Sequence, residues 1–268
     1  MNPARPIRAG EPEGILRAME RRAIVPGIYG LGSELVNWYL VEDGGKLSAV
    51  DAGLPGFASD LSSDLAALGL GLDDIEAVVL THSDGDHTGI APVLRDAGAR
   101  VLVHAADDAT LRKPGPKGGD ASPAKVLANL WRPVTLKVLG HTLRHGGAKP
   151  ARVAGAETFA DGDVLDVPGR FRVIHTPGHN PGHCALLAPP HRALFAGDAL
   201  INHPIVTKGR GPQVMPSFTN VDTVQAFGSL EAIEAADADA DIVLFGHGEP
   251  WRDGARAAVA SARARRGR

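Results

Sequence analysis

Residues 81–89 read Thr81-His82-Ser83-Asp84-Gly85-Asp86-His87-Thr88-Gly89, and within six positions His82, Asp84, Asp86 and His87 offer four side chains able to ligate a metal ion. The stretch follows the apolar β-type run Ala77-Val78-Val79-Leu80 and precedes a helical pattern that starts near Thr88. A strand running into a ligand-dense turn and then a helix holds such side chains rigidly, because ordered elements fix both ends of the turn. The stretch therefore reads as half of a two-metal hydrolytic site, and the rest of the chain has to supply the other half.

Upstream, β-type character begins near Ile24 and returns through Leu35-Val36-Asn37-Trp38-Tyr39-Leu40-Val41; a turn at Glu42-Asp43-Gly44-Gly45 leads into Leu47-Ser48-Ala49-Val50, a predicted hairpin. That second strand ends in Asp51-Ala52-Gly53, and Leu61, Leu65 and Leu68 then share one helical face over 58–69. A strand over 76–80, a helix over 88–97 and a strand over 100–103 complete an alternation that argues for an α/β fold. Residues 105–150 break it: a Gly/Pro-rich segment, KPGPKGGD, leads into a helical pattern over 123–145, read either as an insertion packed over the site or as a surface helix pair. Strands are expected again at 157–160, 163–167, 170–175, 183–188 and 192–196, then a helix at 221–236, a strand at 242–245 and a terminal helix at 252–264. Residues 1–14 read as a flexible segment and 15–264 as one domain that carries the insertion.

The 28 basic and 31 acidic residues leave a net charge of −3, so no broad electrostatic attraction to nucleic acid or anionic membrane is expected. The Arg-rich tail is read as a solvated helix end. Cys184 is the single cysteine, which favours a reducing compartment. The N-terminal residues lack the apolar core of a signal peptide, and no run approaches the ~18 apolar residues of a membrane span. A cytoplasmic protein with a small-molecule substrate is expected, with a homodimer as the default assembly. Eleven histidines against two tyrosines is the unusual count, because five of them (His82, His87, His179, His183 and His247) fall in turns at or near the ends of apolar runs. His104, His141, His145, His175, His191 and His203 are read as structural.

The complement to residues 81–89 comes in three pieces. Thr176-Pro177-Gly178-His179-Asn180-Pro181-Gly182-His183 follows a strand ending at His175, and Pro and Gly around His179 impose a tight, pre-shaped turn. Leu194-Phe195-Ala196-Gly197-Asp198 is a buried-type strand ending in a carboxylate, and Phe245-Gly246-His247-Gly248 ends another strand in Gly-His. With these residues the chain resembles the metallo-β-lactamase superfamily of hydrolases. That family's pattern is a His-x-His-x-Asp-His loop, a later His in a TPGH-like turn, an Asp after a strand ending in Gly-Asp, and a final His in a Gly-His turn. The four elements occur in order at 82–87, 179, 198 and 247. The resemblance implies a four-layer αββα sandwich with the metals at one edge. It implies His82, Asp84 and His179 around one ion, Asp86, His87 and His247 around a second, and Asp198 bridging them. Asp51, in an Asp-x-Gly segment, would support the ligand loop.

Asp84 is the departure, since the family has histidine there. A carboxylate oxygen binds zinc at about 2.0–2.2 Å, so ligation survives chemically. It also makes the first position harder and more negative, which shifts preference toward Mn or Fe. Two divalent ions are expected, zinc first with Mn or Fe as alternatives; the other reading leaves Asp84 unligated and the first position weak. Bound metal makes hydroxide available at neutral pH, and the chain has neither a Gly-x-Ser-x-Gly elbow nor a P-loop. Asp86 is expected to orient the attacking water. His183 is read as a contact to substrate or oxyanion, or else as a strand-start histidine bonded to backbone. The function expected is hydrolysis of a small carbonyl compound: a lactone, a thioester or another ester. The alternatives are phosphodiester or β-lactam hydrolysis, or a binding module with a degraded metal site.

Overall fold

A computed structural model describes residues 23–203, 211–236 and 239–266. The expected flexible segment 1–14, and residues 15–22 of the expected domain, lie outside the described residues. The strands are β1 (Ala23–Val25), β2 (Ile28–Gly32), β3 (Asn37–Asp43), β4 (Lys46–Val50), β5 (Ile75–Val79), β6 (Arg100–His104), β7 (Glu157–Phe159), β8 (Arg172–His175), β9 (Cys184–Ala188), β10 (Ala193–Gly197) and β11 (Ile242–Phe245). The helices are α1 (Ala58–Ala66), α2 (Ala91–Asp96), α3 (Asp108–Arg112), α4 (Pro123–Ala128), α5 (Pro133–Arg144), α6 (Thr223–Gly228), α7 (Leu230–Ala235) and α8 (Gly254–Ala264).

One sheet has the order β1-β2-β3-β4-β5-β6-β7 and the other β11-β10-β9-β8. Strands β1 to β4 pair antiparallel, as the Gly44-Gly45 turn between β3 and β4 predicts. From β4 through β7 the pairing is parallel, because helical crossovers α1 and α2 return the chain to the same end of the sheet. In the second sheet β8, β9 and β10 are antiparallel and β11 joins β10 in parallel.

Period-two alternation decides how the layers stack. Tyr39, Val41, Val50, Val79 and Leu102 of the first sheet face Val173, Leu186, Phe195 and Leu244 of the second, with Cys184 inside this shared core. The opposite face of the first sheet, including Leu40, Ala49 and Val78, is covered by Leu61 and Leu65 of α1 and Leu94 of α2. The opposite face of the second, including Leu187, Leu194 and Val243, is covered by Leu230 and Ile233 of α7 and Ala258 and Val259 of α8. This is the αββα sandwich. Each fully buried Leu, Phe or Val contributes about 1.5–3 kcal/mol, so the three apolar layers outweigh any local strand or helix preference.

Two local expectations are corrected. Residues 163–167 do not form a regular strand; only Val164 bridges to Arg172. The reason is the turn at Pro168-Gly169-Arg170, where Arg170 takes φ 45°, so the ladder closes irregularly through Leu165 N–H to the Phe171 carbonyl. The helix expected from residue 88 starts at Ala91, since Gly89 is held by its N–H bond to the Gly53 carbonyl. Within the 105–150 segment, α4 and α5 account for the helical pattern. Among the described residues, no helix is long and apolar enough to cross a membrane.

Candidate metal centre

The candidate ligands sit just beyond strand ends. Asp51 follows β4, residues 82–87 follow β5, Asp198 follows β10 and His247 follows β11, while His179 lies in the loop between β8 and β9. Parallel pairing brings such C-terminal ends to one edge, where loops rather than the sheet can shape a site. Three groups result, each offering ligand atoms within 4.8 Å of one another: His82, Asp84 and His179; Asp86, His87 and His247; and His82, His87 and Asp198. All seven expected ligands are therefore brought together.

Asp198 stands between the two outer groups. Its Oδ1 lies 3.5 Å from His87 Nε2, and its Oδ2 lies 3.2 Å from His247 Nε2 and 3.5 Å from His179 Nε2. His82 Nε2, His87 Nε2 and Asp198 Oδ1 are buried and have no hydrogen-bond partner among the described residues. Buried polar atoms without a partner cost about 1–3 kcal/mol each, and three converging on one spot fit a cation there. The donor chemistry, imidazole nitrogen with carboxylate oxygen, suits zinc, manganese or iron.

The imidazoles are aimed by their other nitrogens. His87 Nδ1 donates to Asp51 Oδ2 at 2.9 Å, His179 Nδ1 to Asn220 Oδ1 at 3.0 Å, and His247 Nδ1 to the Leu35 carbonyl. His82 Nδ1 pairs with Thr81 Oγ1 at 3.0 Å, and that hydroxyl donates in turn to Asp51. Each ring is thereby set so that its neutral form, the form that binds a metal ion, turns the Nε2 lone pair into the site. Asp51, expected as a support, also accepts from Thr81 N–H at 2.8 Å. Gly246 is needed for space: a Cβ there would lie 2.4 Å from Asp198 Oδ1 and 2.5 Å from His87 Cε1.

The carboxylates dominate the electrostatics. Burial would lower the His87 pKa, yet Asp198, Asp51 and Asp86 outweigh it and push it up to about 10. His247 is likewise lowered by burial but raised by Asp198 and Asp86 to about 9. Burial would raise Asp84, but Lys117, His179 and His82 hold its carboxyl well below the usual range. Asp84 and Asp86 are partly exposed, which places the open side of the site at this pair.

His183, expected as a substrate or oxyanion contact, is placed otherwise. It is fully buried; Nδ1 bonds Thr176 Oγ1 at 2.8 Å and Nε2 accepts from Asp198 N–H at 2.9 Å. Burial, with His82 and His179 nearby, holds its pKa well below the usual value, so it stays neutral and can accept that bond. With both nitrogens engaged it supports the Asp198 backbone, which agrees with the backbone-bonded alternative. Cys184 points into the intersheet core, and burial pushes its thiol pKa up. Four residues were not anticipated: Asn220 behind His179; Asn180, which bonds Asp84 Oδ1 at 2.9 Å; Asp107, which accepts from Ser83 N–H and Gly182 N–H; and Lys117, 2.6 Å from Asp84 Oδ2. Spacing gives no warning of Asn220, Asp107 or Lys117, which are far from the motifs in sequence.

Comparison with known proteins places this geometry. The chain is 28% identical over 239 residues to a protein of Bacillus subtilis (strain 168) named "Probable metallo-hydrolase YqjP", covering 84% of this chain and 70% of the relative. It is 27% identical over 207 residues to an atrochrysone carboxyl ACP thioesterase of Aspergillus fumigatus, covering 72% of this chain but 37% of that protein. The crystal structure of a metallo-beta-lactamase family protein from Thermus thermophilus superposes with a TM-score of 0.63 at 28% identity, covering 89% of this chain and 78% of that one. The sequence model of the metallo-beta-lactamase superfamily matches residues 31–247, from β2 to the last candidate ligand, and the chain belongs to that superfamily.

Proposed function

We propose that this protein is a metal-dependent hydrolase of a small carbonyl substrate, a thioester, lactone or other ester. The observation that carries the reading is the convergence of His82 Nε2, His87 Nε2 and Asp198 Oδ1, buried and without protein partners among the described residues, between two His/Asp clusters. His82, Asp84 and His179 would hold one ion, Asp86, His87 and His247 another, and Asp198 would contact both. When bound there, a divalent ion, zinc first among the candidates, would supply Lewis-acid polarisation of the carbonyl oxygen and a water of pKa lowered toward 7.

The chain's own residues supply the rest. Thr81 and Asp51 fix the orientation of His82 and His87. His183 and the Gly246 gap let Asp198 sit between the clusters without a clash. Asp86, partly exposed and 3.6 Å from His247 Nε2, would orient the attacking water and accept its proton. A net charge of −3 favours a small substrate over a polyanion. The fungal relative's name adds support for a thioester among the carbonyl classes.

The test is a panel of thioesters, lactones, β-lactams and phosphodiesters, run on protein stripped with chelator and reloaded with zinc. Hydrolysis of a thioester, lactone or ester that vanishes on stripping and returns on reloading is expected. Fully loaded protein that hydrolyses none of them would refute the reading.

A further inference from the structure

The first cluster already contains a cation of the protein's own. Lys117 lies in the Gly/Pro-rich segment between α3 and α4, and its Nζ is 2.6 Å from Asp84 Oδ2, 2.9 Å from His179 Nε2 and 3.1 Å from the Thr219 carbonyl oxygen. An ammonium has three N–H donors and no acceptor, so these contacts use all of them. They also commit the partners. His179 donates Nδ1–H to Asn220, which leaves its Nε2 lone pair as the acceptor for Lys117. A lone pair given to an N–H is not available to a metal ion. Asp84 Oδ2 is engaged in the same way, and Asp84 Oδ1 accepts from Asn180 Nδ2 at 2.9 Å. Of the three donors in this cluster, only His82 Nε2 has no hydrogen-bond partner among the described residues.

The lysine is delivered by a built arrangement. Asp120 N–H bonds the Val221 carbonyl at 2.9 Å, and Asp120 Oδ2 accepts from Thr223 N–H at 3.0 Å. Gly119 takes φ 68° where a Cβ would strike the Val221 carbonyl. The segment is thus pinned to residues 221–223, next to the Asn220 that aims His179. The second cluster differs: its imidazoles face carboxylates, with His87 between Asp51 and Asp198 and His247 beside Asp198 and Asp86.

We propose that Lys117 is a built-in cation of the first donor cluster, so that the protein holds one divalent ion firmly at Asp86, His87 and His247 with Asp198, and admits another at His82, Asp84 and His179 only when the lysine withdraws. This rests on the metal-dependent reading of the site. It also gives the family departure a physical reason: a carboxylate at position 84 pairs with an ammonium, which a neutral imidazole would do far less well.

The experiment is a zinc titration of chelator-stripped protein, with bound zinc measured by mass spectrometry after desalting and stepwise affinities measured against a chromophoric chelator. Wild type should retain about one zinc per chain and bind a second about tenfold or more weakly. Lys117→Met, with its fold checked by thermal unfolding, should retain two. Asp84→His, which removes the lysine's partner and leaves the lysine in place, should also gain the second ion. Wild type holding two ions of matching affinity, or a Lys117→Met stoichiometry equal to wild type, overturns the inference and leaves the metal-dependent reading standing. Failure of all three proteins to hold zinc overturns both.

Discussion

Replacing Asp51 by Asn tests how the site sets its tautomers, because the change keeps side-chain shape and removes one acceptor. Asp51 Oδ1 accepts from Thr81 N–H at 2.8 Å, and Oδ2 accepts from His87 Nδ1–H at 2.9 Å, with the Thr81 hydroxyl shared between them. The Thr81 amide is a fixed donor, so the carbonyl of the introduced amide must face it and the NH2 must face His87. The ring can satisfy that NH2 only by accepting at Nδ1, which moves its proton to Nε2, the atom aimed into the site. Metal affinity at the second cluster should fall about 10–100-fold, equivalent to about 1.4–2.7 kcal/mol, with little loss of fold stability. Asp51→Ala should show the same loss plus about 1–3 kcal/mol of destabilisation for each donor left buried without an acceptor. Chelator competition at constant pH gives the affinity, and urea unfolding of the stripped proteins gives the stability. An Asp51→Asn protein with affinity within twofold of wild type would refute the tautomer argument.

Asp198→Asn should lose bound zinc and metal-dependent hydrolysis together, since Asp198 is the carboxylate facing His87, His179 and His247; unchanged zinc content would count against its place between two ions. Gly246→Ala should cost about 1–3 kcal/mol and empty the site, because the added methyl displaces Asp198 Oδ1 or the His87 ring; a variant with wild-type melting temperature and zinc content contradicts the close approach. Stripped protein should lose stability as pH rises from about 7 to 10. In that window His87 and His247 stay protonated in the fold, at about 10 and about 9, while their unfolded value is 6.5, so the folded chain binds more protons. His179 and His183, shifted downward, act below 6.5 and do not mask the effect. Melting temperatures that rise over pH 7 to 10 in chelator would contradict it.

The α/β alternation was legible in the order of apolar runs, and the sandwich was implied by the resemblance to the family; the structure adds the stacking, with Tyr39, Val41 and Val50 toward the shared core and Leu40 and Ala49 away from it. The candidate ligands were legible because four fall within residues 82–87 and His179, Asp198 and His247 sit at or near strand ends, and the resemblance to the family's ordered motifs implied their grouping. What lay hidden has a common cause: Lys117, Asp107 and Asn220 lie outside the motif segments, and their partners are distant in sequence. Lys117 and His179 are 62 positions apart, and Asp107 and Gly182 are 75 apart, so no periodicity links them. His183 shows the opposite failure. Its turn and its nearness to His179 resemble a pocket residue, but the Thr176 hydroxyl and the Asp198 amide claim both nitrogens beneath the site. The 163–167 run was apolar enough for a strand, but the Pro168-Gly169-Arg170 turn allows only one bridge.

The most direct test of the central claim, that these residues form a metal centre, is anomalous diffraction at the zinc edge from crystals of the zinc-loaded protein. A peak bounded by Asp86, His87, His247 and Asp198 is the expected result. A zinc-loaded crystal with no peak among those four side chains would contradict it.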